Sequence, residues 1–213
     1  MHSLTFLMET TNFISYPARP LNGGRFGLVS KKAVHLWSMK LNGWRAVVHT
    51  PSGTMFNRQG QNLTIAEEFS EALDDLSRSR IEWLDCEALE RRHNIGRGCL
   101  IILDAIVPDM KARERYSVLL GEADNWLWPM LHIEEKPQEN RVYLCKQTAM
   151  SDASNTCKLV LTHWWGWMQR VNQEWGAAFY EGFVAKRADS AYPIQLRSSE
   201  AECPFWIKHR WAW

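Results

Sequence analysis

The stretch Lys40-Leu41-Asn42-Gly43-Trp44-Arg45 divides an apolar segment, rich in valine and tryptophan, that runs from Ala33 to His49. Glycine and asparagine favour turns, whereas β-branched and aromatic residues favour strands. The pattern therefore predicts a strand, a tight turn at Gly43 and a second strand. Pro51-Ser52-Gly53 predicts a hairpin turn, after which Thr54 to Arg58 forms a third strand. Lys40 is thus expected at a strand end, where its amine can point into a pocket with Arg45 alongside.

The rest of the chain alternates short strands with a few helices. A capping-box pattern from Thr64 to Glu67 predicts a helix that begins at Thr64 and ends near Leu76. Two prolines and three glycines predict a loop or turn over residues 17–27. Further strands are predicted at 83–89, 99–107, 142–146, 183–187 and 206–210, and further helices from 108 to about 120 and from 154 or 155 to about 179. This mixture indicates an α+β fold.

The composition is that of a globular protein. Of the 213 residues, 46% are hydrophobic and 23% charged, and the net charge of +1 gives no overall positive field, so any basic surface is local. The five cysteines include no Cys-x-x-Cys pair, which predicts buried reduced thiols rather than a zinc site or a disulfide framework. The sequence has no signal-peptide pattern and no apolar run of about 18 residues, so we expect a soluble, cytoplasmic protein without membrane contact.

Tryptophans mark one predicted helix face. The chain contains 12 tryptophans. Steps of three and four residues separate Leu161, Trp164, Met168, Val171 and Trp175, which places these side chains on one face of a helix. We interpret this face as core, because aromatic side chains bury large apolar surfaces. A platform on which nucleobases stack is the alternative.

Six segments follow one another in a fixed order between Val34 and Arg210. They are Lys40 to Arg45, Phe56-Asn57-Arg58-Gln59-Gly60-Gln61-Asn62-Leu63-Thr64, Leu84-Asp85-Cys86-Glu87-Ala88-Leu89, Leu103-Asp104-Ala105-Ile106, Tyr180-Glu181-Gly182-Phe183-Val184-Ala185-Lys186-Arg187 with Asp189-Ser190-Ala191-Tyr192, and Trp206-Ile207-Lys208-His209-Arg210. In this order they resemble the motifs of the covalent nucleotidyltransferases, the superfamily of DNA ligases, RNA ligases and mRNA capping enzymes. Those motifs are Lys-x-Asp-Gly-x-Arg, SRNGxxLT, LDGEL, FDLL, EGLVAKRxDSPY and WLKVK. The fifth segment is most similar to the bacterial and viral ATP-dependent DNA ligases.

The resemblance implies both a fold and a chemistry. It implies a nucleotidyltransferase domain, similar to the ATP-grasp fold, in which antiparallel sheets flanked by helices form a nucleotide-binding cleft. The Lys40 amine would attack the α-phosphorus of ATP and expel pyrophosphate, leaving a lysyl-AMP. Lys186 and Lys208 would offset the charge that develops on the α-phosphate. The same cations would favour the neutral, nucleophilic form of the Lys40 amine.

Other positions are implied to bind the nucleotide, the nucleic acid and a metal ion. Arg45 and Arg58 match residues that contact the ribose and the nucleic-acid phosphate. Glu87 and Glu181 match carboxylates for the ribose and for Mg²⁺, or Mn²⁺ in its place, since hard cations prefer oxygen ligands. The implied nucleotide-binding set is completed by Met39, Leu103, Val184 and Arg210. The implied partner is nicked DNA or RNA, whose 5′-phosphate would receive AMP before a 3′-hydroxyl displaces it.

Four residues depart from the family pattern. Asn42 replaces the usual aspartate of the first motif, which keeps the turn chemistry but removes a charge. Ser38 stands where DNA ligases generally carry a glutamate near the adenine, and Leu103 replaces the phenylalanine of FDLL. Arg210 replaces the second lysine of the last motif, which keeps the charge but changes its geometry. The choice of nucleobase is therefore less firmly indicated than the adenylylation of a lysine.

We expect a single domain over residues 1–213, with an N-terminal extension over 1–32 and a motif-bearing core over 33–210. DNA ligases continue from the last motif into an OB domain with a sixth motif, whereas three residues follow the last motif here. The expectation is a domain without a C-terminal OB domain that works alone, is closed by a separate chain, or mainly seals preadenylylated ends. An RNA ligase and a non-catalytic nucleotide or nucleic-acid binding module are the alternatives to an ATP-dependent DNA ligase.

Overall fold

Two mixed sheets, packed with helices, make up the computed structural model, which describes residues 16–17, 19–23, 33–89, 94–151, 155–195 and 202–210. The strands are β1 (Tyr16–Pro17), β2 (Arg19–Asn22), β3 (Val34–Leu41), β4 (Trp44–His49), β5 (Thr54–Phe56), β6 (Trp83–Leu89), β7 (Cys99–Ala105), β8 (Met130–Leu131), β9 (Val142–Cys145), β10 (Gln147–Ser151), β11 (Tyr180–Arg187), β12 (Ile194–Gln195) and β13 (Glu202–Arg210). The α-helices are α1 (Ser70–Leu76), α2 (Ala112–Trp126) and α3 (Asn155–Trp175).

The strand order assigns each motif to one of the two sheets. The five-stranded sheet has the order β10-β3-β11-β13-β2, and the six-stranded sheet has the order β5-β4-β6-β7-β9-β8. Most neighbours are antiparallel, as predicted, whereas β2–β13, β7–β9 and β8–β9 are parallel pairs. A separate pair joins β1 to β12. The strands β3 and β4 lie in different sheets, so the turn at Asn42-Gly43 carries the chain from one sheet to the other.

The apolar residues form a core on each sheet. Helix α3 packs on the five-stranded sheet through Leu161, Met168 and Val171, all buried, and through the partly buried Trp164 and Trp175. The predicted tryptophan-rich face is therefore a core face. Helices α1 and α2 contribute to the second core, on the six-stranded sheet. All five cysteines are buried and unpaired, which confirms the prediction. No helix within the described residues has the length and hydropathy that a membrane span requires.

Several predicted boundaries were wrong. The helix expected from Thr64 begins as a 3-10 turn at Ala66–Phe69 and becomes α-helical only at Ser70. The Leu63 N–H donates to the Met55 carbonyl, and Asn62 bridges Phe56, so contacts with β5 hold the chain in place before the helix. Helix α2 begins at Ala112 rather than 108, after an extended Lys111 whose N–H donates to the Glu114 carboxylate.

Five strands were not predicted. Arg19–Asn22 lies within the expected loop over 17–27 but forms β2, because β13 offers it a parallel edge. The other four are β1, β8, β10 and β12, which are short or polar and therefore lack an alternating apolar pattern. Most of the expected N-terminal extension over 1–32, and residues 24–27 of the expected loop, lie outside the described residues.

Candidate active site

A cleft of about 550 Å³ lies between the two sheets. Its walls come from β3, β11 and β13 on one side and from β4, β6 and β7 on the other, with the segment after β5 at its rim. All of the predicted site residues except Glu181 line this cleft: Met39, Lys40, Arg45, Arg58, Glu87, Leu103, Val184, Lys186, Lys208 and Arg210. The structure thus brings together residues that are as much as 171 positions apart, since Met39 and Arg210 line the same space.

Lys40 and Glu181 face each other from neighbouring strands. Strand β11 pairs with β3 so that Gly182 lies opposite Lys40, and the register shifts between Tyr180 and Gly182. Lys40 Nζ donates to Glu181 Oε2 in a short ion pair, and also to the Leu41 carbonyl at 3.1 Å. The same Glu181 oxygen lies 3.0 Å from Arg210 Nη2. Glu181 was implied by the resemblance as a metal ligand, and here its carboxylate lies between two cations.

The backbone at Gly182 makes this arrangement depend on glycine. Its φ of +136° lies in a region that L side chains rarely adopt. A Cβ atom at this position would collide with the His209 carbonyl oxygen on β13. Glycine therefore allows β13 to approach the register shift, next to which Glu181 is held.

Glu87 fixes the turn that follows Lys40. Strand β6 pairs with β4 so that Glu87 lies opposite Arg45, and Glu87 Oε1 accepts a hydrogen bond of 2.8 Å from the Gly43 N–H. Burial raises the pKa of Glu87 to about 6, against the opposing influence of Lys40, the Gly43 N–H and Arg45. The carboxyl group is therefore mostly ionised at neutral pH and becomes protonated in mildly acidic solution.

Asn42 has a partner that an aspartate could not have. Its side-chain amide donates to the Ala178 carbonyl at 2.9 Å, and its backbone N–H donates to the Phe179 carbonyl at 2.9 Å. An ionised aspartate is only an acceptor and could not make the first of these bonds. The departure from the family pattern at Asn42 thus ties the turn to the segment that enters β11.

Arg45 is held by the buried carboxylate of Asp85, which also lines the cleft. Its Nε and Nη2 atoms donate to the two oxygens of Asp85 at 2.8 and 2.6 Å. The Tyr192 hydroxyl donates to Asp85 Oδ2 at 3.0 Å. Burial by itself would lower the pKa of Arg45, but Asp85 and Tyr192 raise it above its ordinary value. The guanidinium group therefore remains charged and has a fixed orientation.

Lys186 is also paired. Its Nζ donates to Asp104 Oδ2 at 3.0 Å and to the Leu103 carbonyl at 2.6 Å. Asp104 also binds the fully buried Arg115 of α2, at 2.8 and 3.1 Å. Burial would raise the pKa of Asp104, but Lys186 and Arg115 together lower it. One carboxylate thus faces two cations, so positive charge remains at this wall of the cleft.

Met39, Leu103 and Val184 are apolar residues of the cleft lining, and Met39 also belongs to the core on the five-stranded sheet. In the register of the five-stranded sheet, Val184 lies opposite both Ser38 and Lys208. Ser38 is buried, and its hydroxyl makes a long hydrogen bond of 3.5 Å to the Val184 carbonyl. Apolar side chains of this kind suit a flat base, but they offer aliphatic rather than aromatic contacts.

Sequence reasoning did not single out the residues that hold the cleft cations. Asp85, Asp104, Tyr192 and Trp206 all occur within the quoted motif segments but were given no role. Arg115 lies outside every segment, on α2. A possible signal is that an acidic residue inside an apolar strand needs a buried partner, because an unpaired buried charge is costly.

The carboxylates of Glu87 and Glu181 are compatible with a magnesium ion that has few protein ligands. Among the described residues, no group of three or more histidines, cysteines or carboxylates is placed to hold a metal ion. Glu87 and Glu181 both act on Lys40, one through its charge and the other by direct contact. Mg²⁺ commonly takes one or two carboxylates and completes its shell with water and phosphate oxygens. Glu87 and Glu181 could supply these one or two carboxylates.

Known structures share this fold. The ligase domain of LigD from M. tuberculosis is 16% identical, with a TM-score of 0.55, over 92% of this chain and 59% of its own. Chlorella virus DNA ligase–adenylate is also 16% identical, with a TM-score of 0.59, over 92% of this chain and 67% of its own. A structure named Pmar-Lig is 12% identical, with a TM-score of 0.61, over 92% of this chain and 47% of its own.

The chain therefore has the fold of the adenylation domain of ATP-dependent DNA ligases. It spans about half of Pmar-Lig and 59% of the LigD ligase domain. No protein-family model matches the sequence, and no curated protein matches it. At these identities the likeness concerns the fold alone.

Proposed function

We propose that this chain is an ATP-dependent polynucleotide ligase, acting on nicked DNA, with Lys40 as the nucleophile. The observation that supports this most directly is the position of Lys40 in the cleft. Its amine lies with Glu181, and Lys186, Lys208 and Arg210 line the same space. An amine among cations that can bind phosphate is suited to attack a phosphorus atom. The fold shared with LigD and the Chlorella virus ligase agrees with this chemistry.

The first step would join Lys40 to AMP. The neutral amine forms a bond with the α-phosphorus of ATP while the bond from that phosphorus to the bridging oxygen breaks, and pyrophosphate leaves. The nitrogen becomes positively charged when it bonds to phosphorus, and it then loses one proton to solvent. Lys186 and Lys208 offset negative charge on the α-phosphate, and the base rests near Met39, Leu103 and Val184. Glu87 and Glu181 would hold Mg²⁺ or Mn²⁺, which supplies further neutralisation of phosphate charge.

Two transfers would then seal a strand. An oxygen of the nucleic-acid 5′-phosphate attacks the phosphorus of lysyl-AMP, and the Lys40 amine leaves with a proton. The 3′-hydroxyl of the neighbouring nucleotide next attacks the phosphorus of the 5′-phosphate and loses its proton to solvent; the phosphodiester forms as the bond to AMP breaks, and AMP leaves. Arg45 and Arg58, at the wall and rim of the cleft, are suited to contact the ribose and the nucleic-acid phosphates.

The first step is tested by covalent labelling. The protein is incubated with Mg²⁺ and α-labelled ATP, GTP or NAD⁺, and label on the protein is measured after denaturation. We expect label from ATP that Lys40→Ala abolishes. Lys146→Ala is the matched control, because Lys146 is exposed and does not line the cleft. No label from any nucleotide would refute the proposal, and label from GTP alone would indicate capping chemistry.

The nucleic acid is tested separately. Nicked DNA and nicked RNA, each with a preadenylylated 5′ end, report the final step without the first. We expect the DNA nick to be sealed faster. Faster sealing of RNA would replace DNA ligase with RNA ligase. A chain that binds nucleic acid equally well with and without Lys40 but takes up no AMP would be a non-catalytic binding module.

A further inference from the structure

Tyr192 lies behind the cleft wall rather than in the cleft. Its side chain is 3% exposed, and its hydroxyl donates to Asp85 Oδ2 at 3.0 Å. Burial raises the pKa of the Tyr192 phenol, and the charge of Asp85 raises it further, so the hydroxyl keeps its proton and remains a donor. Asp85 in turn binds Arg45 through both carboxylate oxygens. The hydroxyl therefore restrains the carboxylate that orients Arg45.

The ring of Tyr192 contacts a second chain of ion pairs. The Arg115 guanidinium lies 5.4 Å from the centroid of the Tyr192 ring. Arg115 binds both oxygens of Asp104, and Asp104 binds Lys186. All four of these side chains are buried. The ring therefore packs against the group that holds the partner of Lys186.

Trp206 connects the two cations directly. Tyr192 meets Trp206 nearly perpendicularly, at 88°, with centroids 5.4 Å apart. Arg45 lies over the Trp206 ring at 5.6 Å from its centroid, and Lys186 Nζ lies at 4.6 Å. Both cations thus rest against an aromatic ring that Tyr192 supports from the side.

We propose that Tyr192 is a positioning residue for both cleft cations, acting on Arg45 through its hydroxyl and on Lys186 through its ring. This inference rests on the proposed function and extends it to a residue that does not touch the nucleotide. Long cationic side chains lose much rotational freedom when they bind a ligand. A cation that is already held in place binds or stabilises charge without that loss.

The two parts of the side chain are separated by two variants. Tyr192→Phe removes only the hydroxyl, which loosens Asp85 and Arg45 while the ring stays. We expect the KM for ATP in adduct formation to rise about threefold to tenfold, with kcat within about twofold, because Arg45 contacts the bound nucleotide. Tyr192→Leu also removes the ring, which loosens Lys186, and should lower kcat by about tenfold or more.

The matched control is Tyr143→Phe. Tyr143 is also buried, and its hydroxyl accepts a hydrogen bond of 2.8 Å from the Gln138 N–H, away from the cleft. Each Phe variant loses one hydrogen bond of a buried tyrosine, so both should lose some stability in urea unfolding. Only Tyr192→Phe should raise the KM. An unchanged KM in Tyr192→Phe, or an equal rise in Tyr143→Phe, would overturn the positioning role.

A second measurement separates this inference from the proposed function. ATP binding without metal is measured by calorimetry for the wild type and Tyr192→Phe. If the wild type takes no label, the proposed function fails, and the ATP affinities then decide on Tyr192. Weaker binding by Tyr192→Phe supports the positioning role, whereas equal affinities, or no binding by either protein, overturn it.

Discussion

Glu181 Oε2 on β11 accepts a hydrogen bond from Lys40 Nζ on β3. This contact and the bond to the Leu41 carbonyl occupy the Lys40 amine, whose nitrogen must be free to approach a phosphorus atom. The ion pair must therefore loosen before Lys40 reacts. A divalent cation that binds Glu181 would loosen it.

Magnesium should therefore make Lys40 more reactive even without nucleotide. Brief treatment with an amine-acylating reagent, followed by peptide mass spectrometry, should show Lys40 modified about threefold to tenfold faster when Mg²⁺ is present. Lys146, measured in the same digest, should change little. In Glu181→Gln, Lys40 should be acylated at the faster rate both with and without Mg²⁺. Equal rates for Lys40 with and without Mg²⁺ in the wild type would contradict this role of Glu181.

The negative charge of the buried Glu87 carboxylate should destabilise the fold at neutral pH. Burial raises its pKa from 4.5 to about 6, so the folded protein binds this proton more tightly than the unfolded chain does. Protonation of Glu87 therefore increases the free energy of unfolding as the pH falls from above 6 towards 4.5. Glu87→Gln should be more stable than the wild type by about 1–2 kcal/mol at pH 7, and the difference should vanish near pH 4.5.

Urea unfolding at several pH values tests the role of Glu87. Glutamine keeps an acceptor for the Gly43 N–H, so the comparison isolates the charge. Glu67→Gln, at an exposed position, is the control and should change the free energy of unfolding little. The expectation fails if Glu87→Gln is less stable than the wild type at pH 7.

Asp104 should have the opposite effect. Its pKa lies below the ordinary 3.8, because Lys186 and Arg115 outweigh burial. Its contribution to stability is therefore present above pH 3.8 and is lost as the pH falls below that value. Asp104→Asn leaves two buried cations without their carboxylate and should cost about 3–5 kcal/mol at pH 7. The difference from the wild type should shrink in acid.

The control for this change is Asp189→Asn. Asp189 pairs with Arg187 at 2.6 Å, but both groups are substantially exposed, so its loss should cost at most about 1 kcal/mol. Unfolding followed by tryptophan fluorescence measures both variants. If both variants lost a similar amount of free energy of unfolding, the buried ion pair would contribute no more to stability than the surface pair does.

Gly182→Ala should disturb the cleft through the backbone. A Cβ atom at φ +136° is strained and would collide with β13, so we expect a loss of about 1–3 kcal/mol or more. Adduct formation should fall as well, because Glu181 precedes the displaced residue. Gly121→Ala on α2 has nothing within 4 Å of the added atom and should stabilise the helix by about 0.5–1 kcal/mol. Wild-type stability in Gly182→Ala would contradict the structure at this point.

Much of the fold followed from local patterns. Alternation and turn residues located β3, β4 and β6 closely, because those strands carry their own apolar sequence. Strand β2 could not be found in this way, since it depends on an edge that β13 provides from far along the chain. The start of α1 was wrong for a related reason: bonds to β5 outweighed the capping pattern at Thr64.

The site followed mainly from the order of the motifs. That order led to the residues that line the cleft, but roles assigned to matched positions do not reveal how each side chain is held. Two examples are the hydrogen bond from the Asn42 side-chain amide to the Ala178 carbonyl and the ion pair between Arg115 and Asp104. Each joins positions more than ten residues apart. Such contacts depend on packing between elements and have no periodic signature in the sequence.

The passage of the chain from β3 to β4 has one more consequence. Among the described residues, the chain joins the five-stranded and six-stranded sheets at two short links, Asn42-Gly43 and Lys146. Lys40 belongs to one sheet and Arg45 to the other, although only four residues separate them. If the two sheets rotated relative to each other about these links, the distance between the Lys40 amine and the Arg45 guanidinium would change. The hydrogen bonds between the strands of each sheet would stay intact. The segment that carries the proposed nucleophile is thus also a link between the two sheets, so a change in the angle between the sheets would change the width of the cleft beside Lys40.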